Sequence, residues 1–70
     1  MITFDKLWST LAEKNKSRRY LRQYIGGGTY QNLKQNGNVS SYTLNIICKT
    51  LNCKLDEIAE YISDDEYDAL

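Results

Sequence analysis

The chain has 70 residues, two cysteines and no histidine, and its nine Lys and Arg balance nine Asp and Glu to a net charge of zero. This length suffices for one domain and is too short for a second hydrophobic core. Two cysteines without histidine cannot complete a typical structural zinc site, and they lack the base that a cysteine nucleophile needs. We therefore expect no catalytic site, no metal and no cofactor, and a small core stabilised by pairing into a homodimer.

The neutral total conceals two oppositely charged halves. Residues 1–40 hold seven Lys and Arg against two acidic residues, a net charge of +5, whereas residues 41–70 hold two against seven, a net charge of −5. Binding to nucleic acid depends on where positive charge clusters rather than on its sum. The first half is therefore the candidate nucleic-acid-binding region.

Compartment is indicated by the two cysteines and by the absence of targeting signals. The sequence shows no signal peptide and no apolar run of about 20 residues. Cys48 and Cys53 lie within apolar helical patterns, which is typical of reduced thiols used as small apolar side chains. We expect a cytoplasmic protein that does not bind membranes.

The first predicted helix begins near the amino end, with Thr3 capping its first-turn amides. Its apolar residues are spaced i, i+3, i+4 and i+7, so they share one helical face. They are Phe4, Leu7, Trp8 and Leu11.

Two shorter helices are predicted next, forming a helix-turn-helix from Ser17 to about Gln35. Ser17 caps the second helix, which ends at Gly26 because glycine accepts the backbone conformation that follows a helix. The third helix begins at Thr29 and ends near Asn36 and Gly37. The inward-facing residues of the two helices are Tyr20, Leu21, Tyr24, Ile25, Tyr30 and Leu33.

Two alternatives concern the glycines of this region. The triple glycine at residues 26–28 could bind a nucleotide phosphate, but no strand precedes it, so a tight or flexible turn is favoured. Asn36 and Gly37 could form a two-residue hairpin turn, but their flanks do not alternate between apolar and polar residues. Neither alternative displaces the helix-turn-helix.

A fourth and a fifth helix complete the prediction. Ser40 or Ser41 caps the fourth helix. The fifth helix begins at Lys54 or Leu55. An acidic, disordered tail follows it over residues 63–70. The domain thus covers residues 1–62. The two apolar faces are Leu44, Ile47, Cys48 and Leu51, then Leu55, Ile58, Ala59 and Ile62.

Three stretches give the chain a family resemblance: Asp5-Lys6-Leu7-Trp8, then Asn36-Gly37-Asn38-Val39-Ser40, then residues 47–53 with Asp56-Glu57-Ile58. From Ile2 to Ile62 the sequence resembles the short Cro/phage-repressor-type regulators of Gram-positive bacteria and their mobile elements. The resemblance implies an all-α, five-helix, lambda-repressor-like domain that is often dimeric and binds double-stranded DNA. Ser17, Leu21, Ile25 and Gly26 match the family pattern for the second helix.

The sequence departs from that pattern at the turn, which is about two residues shorter than in the family. The first positions of the third helix, which usually contact base edges, then fall on Gly27 and Gly28. Glycine has no side chain that discriminates bases. The remaining candidates for base contacts are Thr29, Gln31, Asn32 and Gln35, of which Gln31 and Asn32 are preferred because an amide bonds adenine at two positions.

The candidates for phosphate contacts lie mainly at helix starts. The resemblance implies that the start of the second helix contacts the DNA backbone, which supplies affinity without sequence information. Amides and hydroxyls before the fourth helix are candidates for a second phosphate. The full set is Lys16, Ser17, Arg18, Arg19, Lys34, Asn38, Ser40 and Ser41.

Two functions remain open on the sequence alone. The first is a sequence-specific, dimeric DNA-binding regulator that acts as a repressor. The second is a protein-interaction module that keeps the fold but has lost base contacts, which explains the glycines at Gly27 and Gly28. The chain is rich in tyrosine, with six in all, and exposed tyrosines would suit a protein contact.

Overall fold

The computed structural model describes residues 1–63 and 65, so the predicted tail over residues 63–70 lies outside the described part except for Ser63 and Asp65. The mostly helical fold with a helix-turn-helix is confirmed, but the five-helix prediction is wrong, since the described residues form four α-helices. In chain order the elements are β1 (Ile2–Thr3), α1 (Asp5–Glu13), α2 (Arg18–Ile25), α3 (Gly27–Lys34), α4 (Ser41–Leu51), a 3-10 turn (Leu55–Glu57) and β2 (Glu60–Tyr61).

One hydrophobic core joins all four helices. The predicted apolar faces of α1 and α4 are confirmed by the burial of Leu7, Leu11, Ile47 and Leu51. Helices α2 and α3 each bury a single leucine in the same core. Among the described residues, the buried apolar side chains are Phe4, Leu7, Leu11, Leu21, Leu33, Ile47, Leu51 and Ile58.

The predicted fifth helix is replaced by the 3-10 turn and β2. The Glu57 carbonyl accepts a hydrogen bond of 2.5 Å from the Thr10 hydroxyl, whereas in an α-helix it would accept from an amide four residues later. Ile58 is buried as predicted, but Leu55 remains 53% exposed. The hydrogen bond from Thr10 of α1 and the start of β2 together limit this segment to a single helical turn.

Strands β1 and β2 pair antiparallel, with Ile2 opposite Tyr61. The pairing is extended by the Ile62 amide, which donates to the Met1 carbonyl at 2.8 Å. Thr3 is buried within this pair and does not cap α1, so that prediction is wrong. The amide of Phe4, the residue before α1, instead donates to Asn36 Oδ1 at 2.8 Å, which ties the end of α3 to β1.

Three asparagines end three of the helices. Asn15, Asn36 and Asn52 have φ angles of 57°, 55° and 51°, and asparagine is the non-glycine residue that best tolerates this left-handed region. After α3, the Gly37 amide donates to the Asn32 carbonyl at 2.7 Å, and the Asn36 amide donates to that of Leu33. This is the Schellman pattern, so Asn36 and Gly37 terminate a helix and do not form the alternative hairpin turn.

The two cysteines are half-buried free thiols. Burial, with a smaller contribution from the neighbouring Cys48, raises the pKa of the Cys53 thiol to about 11. The reactive thiolate form of Cys53 is therefore scarce at neutral pH. Within the described residues, none of the helices combines the length and the apolar character needed to cross a membrane.

Candidate nucleic-acid interface

Helix α2 begins with an arrangement that favours binding of an anion. Ser17 caps the helix as predicted, since its hydroxyl accepts from the Tyr20 amide at 3.0 Å. The first turn holds Arg18 and Arg19 and no acidic residue. Cations at a helix N-terminus oppose the helix dipole, whereas an anion there is stabilised. This turn is thus less favourable for the free protein than for one with a phosphate bound to it.

Aromatic rings hold the cations of α2 and α3 in one region. The Arg18 guanidinium lies 4.5 Å from the centre of the Trp8 ring, and Trp8 packs edge-on against Tyr30 at 5.8 Å. The Arg22 guanidinium and Lys34 Nζ lie 5.9 Å and 5.6 Å from the centre of the Tyr30 ring. Two helices therefore direct three cations toward one pair of rings that pack edge-on.

A cleft of about 490 Å³ opens among these side chains. Its lining residues, which define what we call the arginine cleft, are Arg18, Arg19, Arg22 and Tyr30. All three arginines are exposed, and a guanidinium that lies over a ring keeps its in-plane N–H groups available as donors. The arginine cleft therefore offers several charge-assisted donors to a phosphate.

The other predicted phosphate-contacting residues lie outside the arginine cleft. Lys16 lies 4.6 Å from the centre of the Tyr20 ring, on a different face of α2. Asn38 lines a separate cavity of about 310 Å³ near Met1 and Ile2. The structure thus brings Arg18 and Arg19 together in the arginine cleft, places Lys34 near the Tyr30 ring that lines it, and leaves Lys16 and Asn38 apart.

Of the two serines before α4, Ser40 is the cap and Ser41 is the first helical residue. The Ser40 hydroxyl accepts from the Thr43 amide at 3.2 Å and lies 3.1 Å from Thr43 Oγ1, to which it donates. Both serines are exposed. They are accessible to a ligand, while Ser40 also has a structural role of its own.

The link between α2 and α3 is a single residue. Gly26 has a φ of 84°, its amide donates to the Arg22 carbonyl at 2.9 Å, and its carbonyl accepts from the Tyr30 amide at 3.0 Å. Helix α3 begins at Gly27, so the prediction of a start at Thr29 after a triple-glycine turn is wrong. Because Gly26 alone links the two helices, Gly27 and Gly28 form the first turn of α3.

The exposed face of α3 carries a row of amides. Gln31 and Asn32 are exposed, as is Gln35 just beyond the helix, and Gly28 precedes them at helical spacing on the same side. Thr29 is half-buried. Three of the four candidates for base contacts therefore share one solvent-facing surface, and its first position has no side chain.

Three participants in this region were not among the predicted site residues. Arg22 was counted only in the charge balance, and Trp8 and Tyr30 were assigned to the core, although all three belong to the same cluster of cations and rings. The spacing of four residues between Arg18 and Arg22 puts both on one face of α2, a signal present in the sequence. Tyr24, predicted to face inward, is instead 51% exposed and packs edge-on against Tyr20.

Comparison with known proteins gives two matches. The family model for Cro/C1-type helix-turn-helix DNA-binding domains matches residues 6–64. A solved structure, the crystal structure of the transcriptional regulator VanUg in its form II, is similar with a TM-score of 0.82 and 32% sequence identity, covering 90% of this chain and 87% of that one. A search of curated proteins gave no match.

Proposed function

The chain belongs to the family of Cro/C1-type helix-turn-helix DNA-binding domains, and we propose that it is a sequence-specific transcriptional regulator that represses by occupying its operator. The observation that carries this proposal is the arginine cleft directly beside the exposed amide face of α3. One surface thereby combines donors for phosphates with side chains suited to base edges.

In the proposed complex, α2 contacts the DNA backbone and α3 enters the major groove. Arg18 and Arg19 bind phosphate at the start of α2, where a bound anion relieves the unfavourable charge at the helix end. Lys34 extends this positive surface along α3. Further phosphate contacts come from the other exposed residues near helix starts: Lys16, Ser17, Asn38, Ser40 and Ser41.

Base recognition falls to the amides of α3. Gln31 and Asn32 each have the donor and acceptor pair that matches adenine in the major groove. Gln35 lies at the end of the same face, and the half-buried Thr29 lies at its edge. The short row of side chains favours an operator with few specified base pairs in each half-site.

We propose further that two copies bind an inverted repeat. A domain of this length has a small core, and pairing of two copies adds buried surface. Large apolar side chains remain exposed and available for such a contact. They are Ile2, Tyr24, Tyr42, Leu55 and Tyr61.

The decisive experiment is a DNA titration at several salt concentrations with the duplex upstream of the protein's own gene and a scrambled duplex. We expect tighter binding to the first, with an affinity that falls steeply as salt rises. Replacing Arg18 and Arg19 together by alanine is expected to lower the slope of log affinity against log salt by about two, one for each lost phosphate contact.

The matched control replaces Lys49 and Lys54 by alanine, which removes the same charge from exposed positions outside the proposed interface. We expect its salt slope to stay near that of the wild type. Equal and weak binding of the wild type to both duplexes would contradict the regulator. That result would favour the protein-interaction module, the alternative supported by the bare first turn of α3.

A further inference from the structure

The first turn of α3 has no side chains at the positions where a recognition helix ordinarily begins to contact bases. Its first two residues, Gly27 and Gly28, are helical and have no side chains. In a helix-turn-helix the N-terminal residues of the recognition helix meet the base edges first. If α3 binds as proposed, this part of the groove receives no side chain from α3 itself.

The Arg22 side chain of α2 occupies the space beside that turn. A Cβ atom added to Gly27 would lie 3.1 Å from Arg22 Nη2 and 3.5 Å from Nε. A Cβ atom added to Gly28 would have no neighbour within 4 Å. The guanidinium thus lies against Gly27, at a distance that only the absence of a side chain allows without displacement.

The position of Arg22 on α2 separates it from the arginines at the helix start. It follows Arg18 by four residues, which places it about 6 Å further along the helix toward α3. There its guanidinium lies near both the Tyr30 ring and Gly27, while the side chain remains exposed. All three arginines line the arginine cleft, and Arg22 is the one that lies against the first turn of α3.

We propose that Arg22 contacts a guanine in each half-site and replaces the base contact that Gly27 and Gly28 cannot make. Arginine donates two parallel hydrogen bonds to O6 and N7 of guanine, the commonest specific contact between a protein and the major groove. Gly27 is then a positioning residue, because it makes room for the guanidinium. This inference rests on the proposed DNA-binding function.

The first test selects sequences from a pool of duplexes with a randomised centre. The wild type is expected to enrich one guanine per half-site, and Arg22→Ala to lose that preference while it keeps the others. The loss should be about tenfold in affinity for the selected duplex, within the range of one bidentate base contact. Arg22→Gln is expected to shift the preference at that position toward adenine, and thermal melts establish that both variants fold.

A second measurement removes the acceptor instead of the donor. Replacing the enriched guanine by 7-deazaguanine deletes N7 and should weaken the wild type but not Arg22→Ala. Gly27→Ala should weaken the guanine preference modestly, because its methyl group makes the guanidinium shift by a few tenths of an ångström. Gly28→Ala adds the same atom where the free protein has no neighbour, so the guanidinium stays in place. The preference for guanine should therefore be kept, whatever the change in overall affinity at this base-contacting face.

The outcomes distinguish this inference from the function on which it rests. If Arg22→Ala weakens all duplexes equally, Arg22 contacts phosphate and the guanine assignment is overturned. If the wild type selects a sequence without a guanine that depends on Arg22, the assignment is overturned and the regulator stands. If the wild type selects no sequence at all, the proposed function fails and the assignment fails with it.

Discussion

Helices α2 and α3 have the same length of eight residues and are joined by one glycine, yet they are built differently. Helix α2 has a serine cap and three arginines, whereas α3 has no side-chain cap, begins with two glycines and exposes amides. Helices this short are unstable alone, so both depend on the shared core. The difference fits a proposed division of roles, in which Arg18 and Arg19 of α2 supply affinity and the amides of α3, with Arg22 beside its first turn, supply specificity.

The largest expected effects come from what the two helices have in common, their single buried leucines. Leu21 and Leu33 are fully buried, and each of the variants Leu21→Ala and Leu33→Ala should lower the free energy of unfolding by about 2–5 kcal/mol. Unfolding in urea, followed by circular dichroism, measures both losses. A loss below about 1 kcal/mol for Leu33→Ala alone would show that other contacts hold α3 in place.

The proposed division of roles is sharpened by removing amides from α3. Gln31→Ala or Asn32→Ala should each reduce discrimination between the selected and a scrambled duplex by about 1–3 kcal/mol and leave the salt slope unchanged. The double variant Arg18→Ala, Arg19→Ala should instead lower the salt slope and leave the discrimination between the two duplexes unchanged. Binding titrations with both duplexes at two salt concentrations separate these results. A change of salt slope in the amide variants would contradict the division.

Helix α2 has a side-chain cap and α3 has none, and Ser17→Ala tests the contribution of that cap. Loss of the hydroxyl that accepts from the Tyr20 amide should lower the free energy of unfolding by about 1 kcal/mol. Ser9→Ala, at an exposed position inside α1, is the control and should leave stability unchanged or slightly raised. Equal effects in thermal melts would mean that Ser17 does not stabilise α2.

The smallest expected change is a gain of stability in α3. Gly28→Ala should raise the free energy of unfolding by about 0.5–1 kcal/mol, because glycine loses more backbone entropy in a helix than alanine does. Gly26→Ala should instead be destabilising, since its φ of 84° disfavours any side chain. A loss of stability in Gly28→Ala, measured by urea unfolding, would contradict the placement of this residue in the helix.

Sequence patterns predicted the elements that depend on local chemistry. The Ser17 cap, the end of α2 at Gly26 and the apolar faces of α1 and α4 follow from neighbouring residues alone. The same local rules misplaced the start of α3, because glycine has a low helix propensity. Those rules also take no account of tertiary packing, which around Tyr30 and Leu33 stabilises the helix.

The fifth helix failed for a different reason. Leu55, Ile58 and Ile62 have helical spacing, but a hydrogen bond from Thr10 and the pairing of β2 with β1 determine that segment. Both partners lie more than forty residues away in the sequence. The cluster around Trp8 and Tyr30 was missed in the same way, since a cation packed over a ring combines residues from different helices.

The one-residue link at Gly26 has a consequence for the duplex. Gly26 is hydrogen-bonded to both helices, so in the proposed complex a contact made by α2 would also set the depth and angle of α3 in the groove. In that complex we expect the two helices to move as one unit and the DNA to bend or change its groove width to fit. Because that deformation costs less for some base steps than for others, we expect sequence preferences even at base pairs that no side chain touches.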